Sequence, residues 1–549
     1  MVLAFVLMGL VIVVSQYFMK PAPAPTATKE GAEKSAQPVN PAAVEKPPQP
    51  VAAPAKTAQM PGQVHADQET VFGVDTDVYR VVFSNRGAVV RSWVLKDYKD
   101  RDGKPLELVN QKALAKVPAP FALAFKNQAP ATDPNTALFK ADTSADGLTV
   151  SFEFSDGVAL TKKAFQFDKK SYLVAVTSEV TQNGTLLPHS LTWRGGFGDA
   201  NVPNAIVAQH ALYYDLPATK LQVKQAKDAK DGPVSASGQF SFLGLEDSYF
   251  CAVFLPGNQT SVEQTTYADN VPDANGKDEL RVGTGVGGEG VNTLSLFVGP
   301  KKVDLLRQVN PKLEQVIDWG FFGIIAKPLF LVLNWTADHL AHNYGWTIVL
   351  VTVAINLVLF PLRISSMKSS KKMQALQPQI KAINEKYKNL SMRDPKKAEQ
   401  NQEVMDLYKK NGVNPVGGCL PMLLQIPFLY AFYKVLSVSI EMRGAHWFWV
   451  TDLSQPETLA IHILPILLVV TQFLTQRMTP SPGMDPSQQK MMMIMPLVFG
   501  YMFYFASAGL VLYWLTGNVV GVAQQWLLNR SMPAPEAPPA PPAKKKGRS

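Results

Sequence analysis

The run GWTIVLVTVAINLVLFPL, which occupies residues 345–362, contains no charged side chain. Its length is about what an α-helix needs to cross the hydrocarbon core of a bilayer. Four further apolar runs follow, at residues 417–439, 459–476, 491–506 and 509–528. This pattern predicts a membrane protein whose core is an α-helical bundle of five transmembrane helices.

The sequence before this bundle reads as a separate all-β domain. Residues 67–310 contain no apolar run long enough to span a bilayer. They contain short runs rich in β-branched and aromatic residues, which are separated by turn signals. In one run Tyr79, Val81 and Phe83 alternate with other residues and therefore share one face of a strand. We predict a β-sandwich over residues 67–310.

Three other segments complete the N-terminal part. Residues 1–19 are largely apolar and could be a signal peptide or a membrane anchor; because prolines surround the alanines that follow them, we predict an uncleaved signal-anchor helix. Residues 20–66 are rich in Pro and Ala, which predicts a disordered linker. Residues 321–343 begin apolar and end polar, which predicts an amphipathic helix at the membrane interface.

Charge distribution predicts the orientation of the bundle. The net charge of the chain is +9. Residues 363–410 contain twelve Lys or Arg residues and only five acidic residues. The tail, residues 529–549, ends in KKKGRS. Cytoplasmic loops carry the excess of Lys and Arg, so we place this loop and both termini in the cytoplasm. The β domain is then on the opposite side of the membrane from this loop.

The basic loop, residues 363–412, has an apolar stripe at helical spacing. Leu376, Ile380, Ile383 and Tyr387 follow one another at steps of three or four. We interpret the loop as a basic helical hairpin that serves as a docking surface, although a solvated loop would explain the charge alone. The candidate docking residues are Lys371, Lys372, Lys381, Lys386 and Lys388.

Polar side chains inside the apolar runs are the second candidate site. Thr352 and Asn356 lie on one helix face, and Arg363 continues that face about two turns further toward the cytoplasm. A polar side chain at bilayer depth usually faces protein or water. Two readings remain open, a water-accessible groove and ordinary hydrogen bonding between helices. Further candidates in the other runs are Gln425, Thr516 and Asn518.

The sequence does not favour an enzyme. It contains no phosphate-binding G-x-x-x-x-G-K-[S/T] loop, no G-x-S-x-G elbow and no H-E-x-x-H zinc motif. Its two cysteines, Cys251 and Cys419, do not suggest a disulfide framework. We expect no catalytic residue, no metal and no cofactor.

Several motifs in the bundle resemble one known family. They include Phe360-Pro361-Leu362, the segment NPVGGCLP at residues 414–421, and GLVLYW at residues 509–514. The chain resembles the YidC/Oxa-type membrane protein insertases, in the Gram-negative form with a large periplasmic β-supersandwich. Trp514 and Thr352 match positions at which this family contacts its substrates.

The resemblance implies a function. Such proteins insert newly synthesised membrane proteins into the cytoplasmic membrane and help them fold, alone or with the Sec translocon. They use a hydrophilic groove open to the cytoplasm and no nucleotide. The implied partners are nascent membrane proteins, the Sec translocon, the ribosome and anionic lipids. This sequence departs from the family at Asn356, where relatives usually carry a cation.

Two alternatives compete with an insertase. A transporter or channel would predict inverted repeats or deep charges in several spans, and neither is evident in the sequence. A membrane-anchored periplasmic carbohydrate-binding protein would place the function in residues 67–310.

Overall fold

The structure is a computed structural model. It describes residues 62–100, 103–199, 209–257, 261–273, 276–288, 290–387, 396–413, 420–478 and 486–531. The predicted signal-anchor helix, nearly all of the linker and the tail beyond residue 531 lie outside these residues.

The part that precedes the bundle is built from antiparallel strands. In chain order they are Val71–Asp75 (β1), Tyr79–Ser84 (β2), Val89–Lys99 (β3), Pro105–Glu107 (β4), Ala122–Ala124 (β5), Lys140–Thr143 (β6), Thr149–Ser155 (β7), Ala159–Phe167 (β8), Leu173–Gln182 (β9), Thr185–Leu186 (β10), His189–Trp193 (β11), His210–Asp215 (β12), Lys220–Lys224 (β13), Val234–Gly238 (β14), Phe240–Glu246 (β15), Phe250–Leu255 (β16), Val262–Pro272 (β17), Asp278–Gly288 (β18) and Asn292–Pro300 (β19).

These strands form three sheets. The first has the order β1-β2-β3-β4, and the second has the order β13-β12-β15-β16-β19-β9-β8-β7-β6, with β10 beside β9. The third has the order β14-β17-β18-β11-β5. The predicted alternation in β2 is confirmed, because Tyr79, Val81 and Phe83 are buried while Arg80 is exposed. An aromatic core including Trp93 and Phe165 fills the space between sheets.

The rest of the described chain is helical. The helices are Val303–Val309 (α1), Gly323–Thr336 (α2), Tyr344–Val358 (α3), Phe360–Ala375 (α4), Gln377–Lys386 (α5), Lys396–Lys410 (α6), Leu420–Val438 (α7), Ile463–Met478 (α8), Pro486–Tyr504 (α9) and Ala508–Ser531 (α10). A single π-helical stretch, Ala337–Ala341, continues α2. The apolar run that opened the sequence is therefore divided, because its helix ends at Val358 and a second begins at Phe360.

The break has a local cause. Pro361 lies in the first turn of α4, where its missing N–H costs nothing, whereas inside a longer helix it would remove a hydrogen bond. Arg363 consequently belongs to the first turn of a helix.

Length and hydropathy give a mixed result for the described helices. None of them alone is both long and apolar enough to cross a bilayer. The bent pair Gly323–Ala341 and Tyr344–Val358, with an angle of 115°, meets the criterion together. Shorter apolar helical stretches are Ile426–Val438, Ile463–Met478 and Met493–Tyr504.

The β domain and the helices share one continuous apolar cluster. It begins on the second sheet with residues such as Leu212 and Phe242, continues through Leu306 of α1, and reaches Val435 of α7 and Tyr513 of α10. The two parts of the chain are therefore packed together through buried side chains. A shared core of this kind resists relative movement more than a polar contact does.

An ion pair reinforces this junction. Arg443, which follows α7, pairs with Asp199 of the β domain at 2.7 Å, and the two side chains are only 6% and 2% exposed. The same guanidinium donates to the carbonyl oxygen of Lys99 at 2.9 Å. It also lies over the rings of Tyr249 and Phe250.

Candidate functional site: a polar strip inside the bundle

A strip of polar groups runs along the contact between α3, α4 and α10. It begins where the side chain of Asn343 caps α3 by accepting from the N–H groups of Gly345 and Trp346. One helical turn after Thr352, the Asn356 side chain donates to the Thr352 carbonyl oxygen at 2.8 Å. Asn356 is half-buried. It therefore offers polarity to its surroundings without a charge.

Gln524 of α10 joins Asn356 to Arg363. Its amide nitrogen donates to the carbonyl oxygen of Asn356 at 3.1 Å. Its amide oxygen accepts from Nη1 of Arg363 at 3.1 Å. The carbonyl contact fixes which way the amide points, and the amide oxygen is thereby turned toward the guanidinium. Gln524 thus bridges Asn356 and Arg363, the two residues for which the sequence predicts a shared helix face.

Gln524 is not among the groove residues that the sequence analysis predicts. It stands in the last apolar run, and its burial beside a broken helix depends on the approach of α10 to α3. Its polar character inside an apolar run was the available signal. That signal could not separate it from Gln525, which is also buried but donates to the carbonyl oxygen of Met478.

Asn518 and Trp514 contact helices α8 and α9, whereas Gln524 contacts α3 and α4. The side chain of Asn518 donates to Oε1 of Gln472 on α8 at 2.8 Å. The half-buried ring of Trp514 packs on Phe503 of α9, with centroids 4.7 Å apart. Both residues lie on the α8–α9 side of α10, so the side-chain nitrogen of Asn518 bonds to α8 and not to Gln524 or Arg363.

Two of the expected groove residues lie inside the bundle core. Thr352 is fully buried, and its hydroxyl donates to the carbonyl oxygen of Ile348 on its own helix at 2.5 Å. Thr516 is also buried and stands about half a turn round α10 from Trp514. Neither side chain is open to a groove in this structure. The side chain of Gln425 lies outside the described residues.

The basic hairpin has a small apolar core of its own. Leu376 and Ile380 pack with Val413 and with partly buried residues of α6. Lys372, Lys381 and Lys386 are exposed, as a docking surface would require.

The other two docking candidates differ from these three. Lys371 is 8% exposed and so presents little of its side chain to a partner. Lys388 lies outside the described residues. Among the exposed lysines, Lys386 bonds to Glu403, and this hydrogen bond raises its pKa and keeps it charged.

Comparisons with known proteins match both halves of the chain. A family model described as "60Kd inner membrane protein" matches residues 335–535, and one described as "YidC periplasmic domain" matches residues 72–332. The membrane protein insertase YidC of Ralstonia nicotianae is 36% identical over 506 residues, which cover 88% of this chain and 87% of that protein. The chain belongs to the YidC family. The membrane protein insertase YidC of Geobacter sp. (strain M21) is 35% identical over 479 residues, which cover 84% and 85% of the two chains.

A solved YidC structure gives a further likeness. The structure described as an active YidC insertase with its first transmembrane domain resolved has 19% identity and a TM-score of 0.36. The match covers 84% of this chain and 93% of the other.

The two family models meet inside α2, after the last strand of the β domain. The periplasmic match ends at residue 332, inside α2, and the inner-membrane match begins at residue 335. The sequence interpretation of a periplasmic β domain followed by a helical membrane part is confirmed at this level. The YidC relatives are named as insertases and not as enzymes, in agreement with the lack of catalytic motifs.

Proposed function

We propose that this chain inserts newly synthesised proteins into the bacterial inner membrane and assists their folding. Membership of the YidC family and the names of its relatives support this proposal. The observation that carries it in the structure is the polar strip of Asn356, Gln524 and Arg363 between helices of the bundle. Polar groups in such a place cost free energy in lipid unless they meet protein, water or a substrate.

In this proposal α3, α7, α8, α9 and α10 are the five membrane-spanning helices. Large apolar side chains are exposed on α8 and α9, which suits contact with lipid. They include Ile466, Val470, Ile494, Leu497, Val498 and Met502. The basic hairpin and both termini are then cytoplasmic and the β domain periplasmic, as the loop charges predict.

The polar strip would act by shortening the apolar path of a client's hydrophilic flank. The flank enters from the cytoplasm and exchanges water for Asn356, Gln524 and Arg363. Its apolar segment meanwhile moves along the exposed apolar faces of the neighbouring helices into lipid. Burial of that segment supplies the driving force, so no nucleotide is needed.

Arg363 is the cation of this proposed groove. Asn356 holds the deeper position and supplies only an amide and a carbonyl. The groove is then mildly polar at depth and charged nearer the cytoplasm. A client flank would meet the charge first, at the entrance of the apolar path.

The partners follow from the cytoplasmic charges. The exposed lysines of the hairpin and the basic tail, residues 544–548, are proposed to contact the ribosome and anionic lipids. Cooperation with the Sec translocon is proposed from the family resemblance.

Insertion by the purified full chain in liposomes tests the function. A single-spanning client with a short polar flank is synthesised in the presence of these vesicles, and protection of the flank from protease is measured. We expect protection above that of empty vesicles. Arg363→Ala should lower it about tenfold, roughly 1.4 kcal/mol, and Asn356→Ala less than threefold.

Protection equal to that of empty vesicles would contradict the insertase. Equal and negligible effects of the two substitutions, with insertion intact, would contradict only the role of Arg363.

A further inference from the structure

Gly521 of α10 lies directly under the guanidinium of Arg363. A Cβ atom built on Gly521 would be 3.1 Å from Nη1, 3.1 Å from Nη2 and 3.6 Å from Cζ of that side chain. The two distances to nitrogen are tighter than most van der Waals contacts of a Cβ atom, and the distance to Cζ is an ordinary contact. The absence of a side chain at this position therefore creates the space that the guanidinium occupies.

The guanidinium is held in that space from one side. Gln524, three residues after Gly521 and on the adjoining face of α10, accepts its hydrogen bond at 3.1 Å. Glycine costs about 1 kcal/mol relative to alanine in a helix interior, and at Gly521 the close approach of Arg363 is a packing reason for it. The helix is regular at Gly521 and its φ is not positive, so backbone conformation gives no further reason for glycine there.

Arg363 keeps unused hydrogen-bonding capacity in this position. Its guanidinium has five N–H donors, and toward the residues that the structure describes its side chain donates one hydrogen bond, to the neutral amide of Gln524. None of the ion pairs among the described residues includes Arg363. A carboxylate is the ligand that this planar set of donors fits best.

We propose that Gly521 is a positioning residue, which with Gln524 seats Arg363 against α10 and makes the groove select clients with acidic flanks. This inference rests on the proposed insertase function. A side chain at position 521 would push the guanidinium off α10 and away from Gln524. The cation would remain in the protein but would no longer lie on the client's path.

The same helix offers a matched control. Gly517 lies one turn before Gly521, and a Cβ atom built there would meet nothing within 4 Å. Replacing either glycine by alanine raises helix propensity equally. Only the substitution at position 521 reaches Arg363, because only there does the new carbon approach the guanidinium.

The experiment uses the full chain in liposomes and two clients that differ only in their flanks. One flank carries two Asp residues and the other carries two Asn residues. Gly521→Leu should lower insertion of the acidic client about fivefold, roughly 1 kcal/mol, and change the neutral client less than twofold. Gly521→Ala should act in the same direction by a smaller factor, and Gly517→Ala and Gly517→Leu should leave both clients unchanged.

A second background separates positioning from a general defect. In Arg363→Gln the acidic and neutral clients should insert equally, and adding Gly521→Leu should change nothing further. The proposal is overturned if both glycines give the same loss, if Gly521→Leu keeps the full acidic preference, or if it still lowers insertion in the Arg363→Gln background. Failure of the unmodified chain to insert even the neutral client would instead contradict the proposed function.

Discussion

The buried cations of the β domain and the half-buried Arg363 of the bundle differ in their hydrogen-bond partners. In the β domain, Lys163 is fully buried and donates to three backbone carbonyl oxygens, at 2.8, 3.2 and 2.8 Å. Lys301 is also buried there and pairs with Glu246 at 3.0 Å. In the bundle, Arg363 donates to the neutral amide oxygen of Gln524.

The difference separates a scaffold from a binding surface. A buried charge whose acceptors all come from the same domain stabilises one arrangement of that domain and has little capacity for a ligand. A guanidinium with one neutral acceptor keeps capacity for an incoming anion. The charges of Lys163 and Lys301 are thus part of the architecture of the β domain, whereas in the proposed groove the charge of Arg363 would be available to clients.

We expect the largest effect from breaking the buried ion pair between Arg443 and Asp199 at the junction of the β domain and the bundle. Arg443→Met should lower the free energy of unfolding by about 3 kcal/mol, because it leaves the carboxylate of Asp199 buried without its cation. Thermal unfolding of the full chain in detergent, followed by tryptophan fluorescence, measures the loss. Lys434→Met is the control, since its partner Asp318 is 72% exposed. That change should cost at most about 1 kcal/mol, and an equal loss in both variants would contradict the contrast.

Lys163 tests the same contrast through pH. Burial lowers the pKa of Lys163 from its ordinary 10.5 to about 7. Between these values the unfolded chain binds more protons than the folded chain, so folding stability rises with pH. Relative to Lys163→Met, the unsubstituted chain should gain up to about 1.4 kcal/mol per pH unit above about pH 7.

Unfolding of both proteins at several pH values measures this gain. The exposed neighbour Lys162 supplies the control, because Lys162→Met should leave the pH dependence unchanged. A constant difference between the unsubstituted chain and Lys163→Met across the range would show that the ammonium is not penalised by burial.

The smallest effect belongs to an amide pair of the bundle. The side-chain nitrogen of Asn518 donates a hydrogen bond to the amide oxygen of Gln472 at 2.8 Å. Removing one of these side chains should therefore affect stability more than the selection of clients. Asn518→Leu should lower the free energy of unfolding by about 0.6 kcal/mol, the usual size of a hydrogen bond between membrane helices. The preference for acidic over neutral flanks should not change in the liposome assay. Loss of that preference would mean that the polar groove extends to α8.

Regular features of the fold could be predicted from the sequence. Alternating residues in β2 identified the buried face that holds Tyr79, Val81 and Phe83, because alternation depends only on strand geometry. The stripe of Leu376, Ile380 and Tyr387 likewise identified the buried side of the hairpin. Both are local periodicities, which need no knowledge of distant neighbours.

Features that depend on distant neighbours could not be predicted. Lys163 follows another lysine and reads as solvated, and only the packing of sheets buries it. The contact of Gly521 and Gln524 with Arg363 joins positions more than 150 residues apart. Thr352 has the polarity of a groove residue, but a bond to its own helix lets it lie in the core.

The apolar cluster that joins the β domain to the bundle contains segments that are synthesised at different times. The N-terminal end of α2 meets α7 through the rings of Phe322, the residue just before α2, and Tyr430, whose centroids are 5.7 Å apart. Those residues are 108 positions apart in the chain, which a ribosome crosses in about 5 to 20 s at roughly 5–20 residues per second. During that interval α2 exists without its partner helix, so its inner face must be covered by lipid or by another protein until α7 arrives.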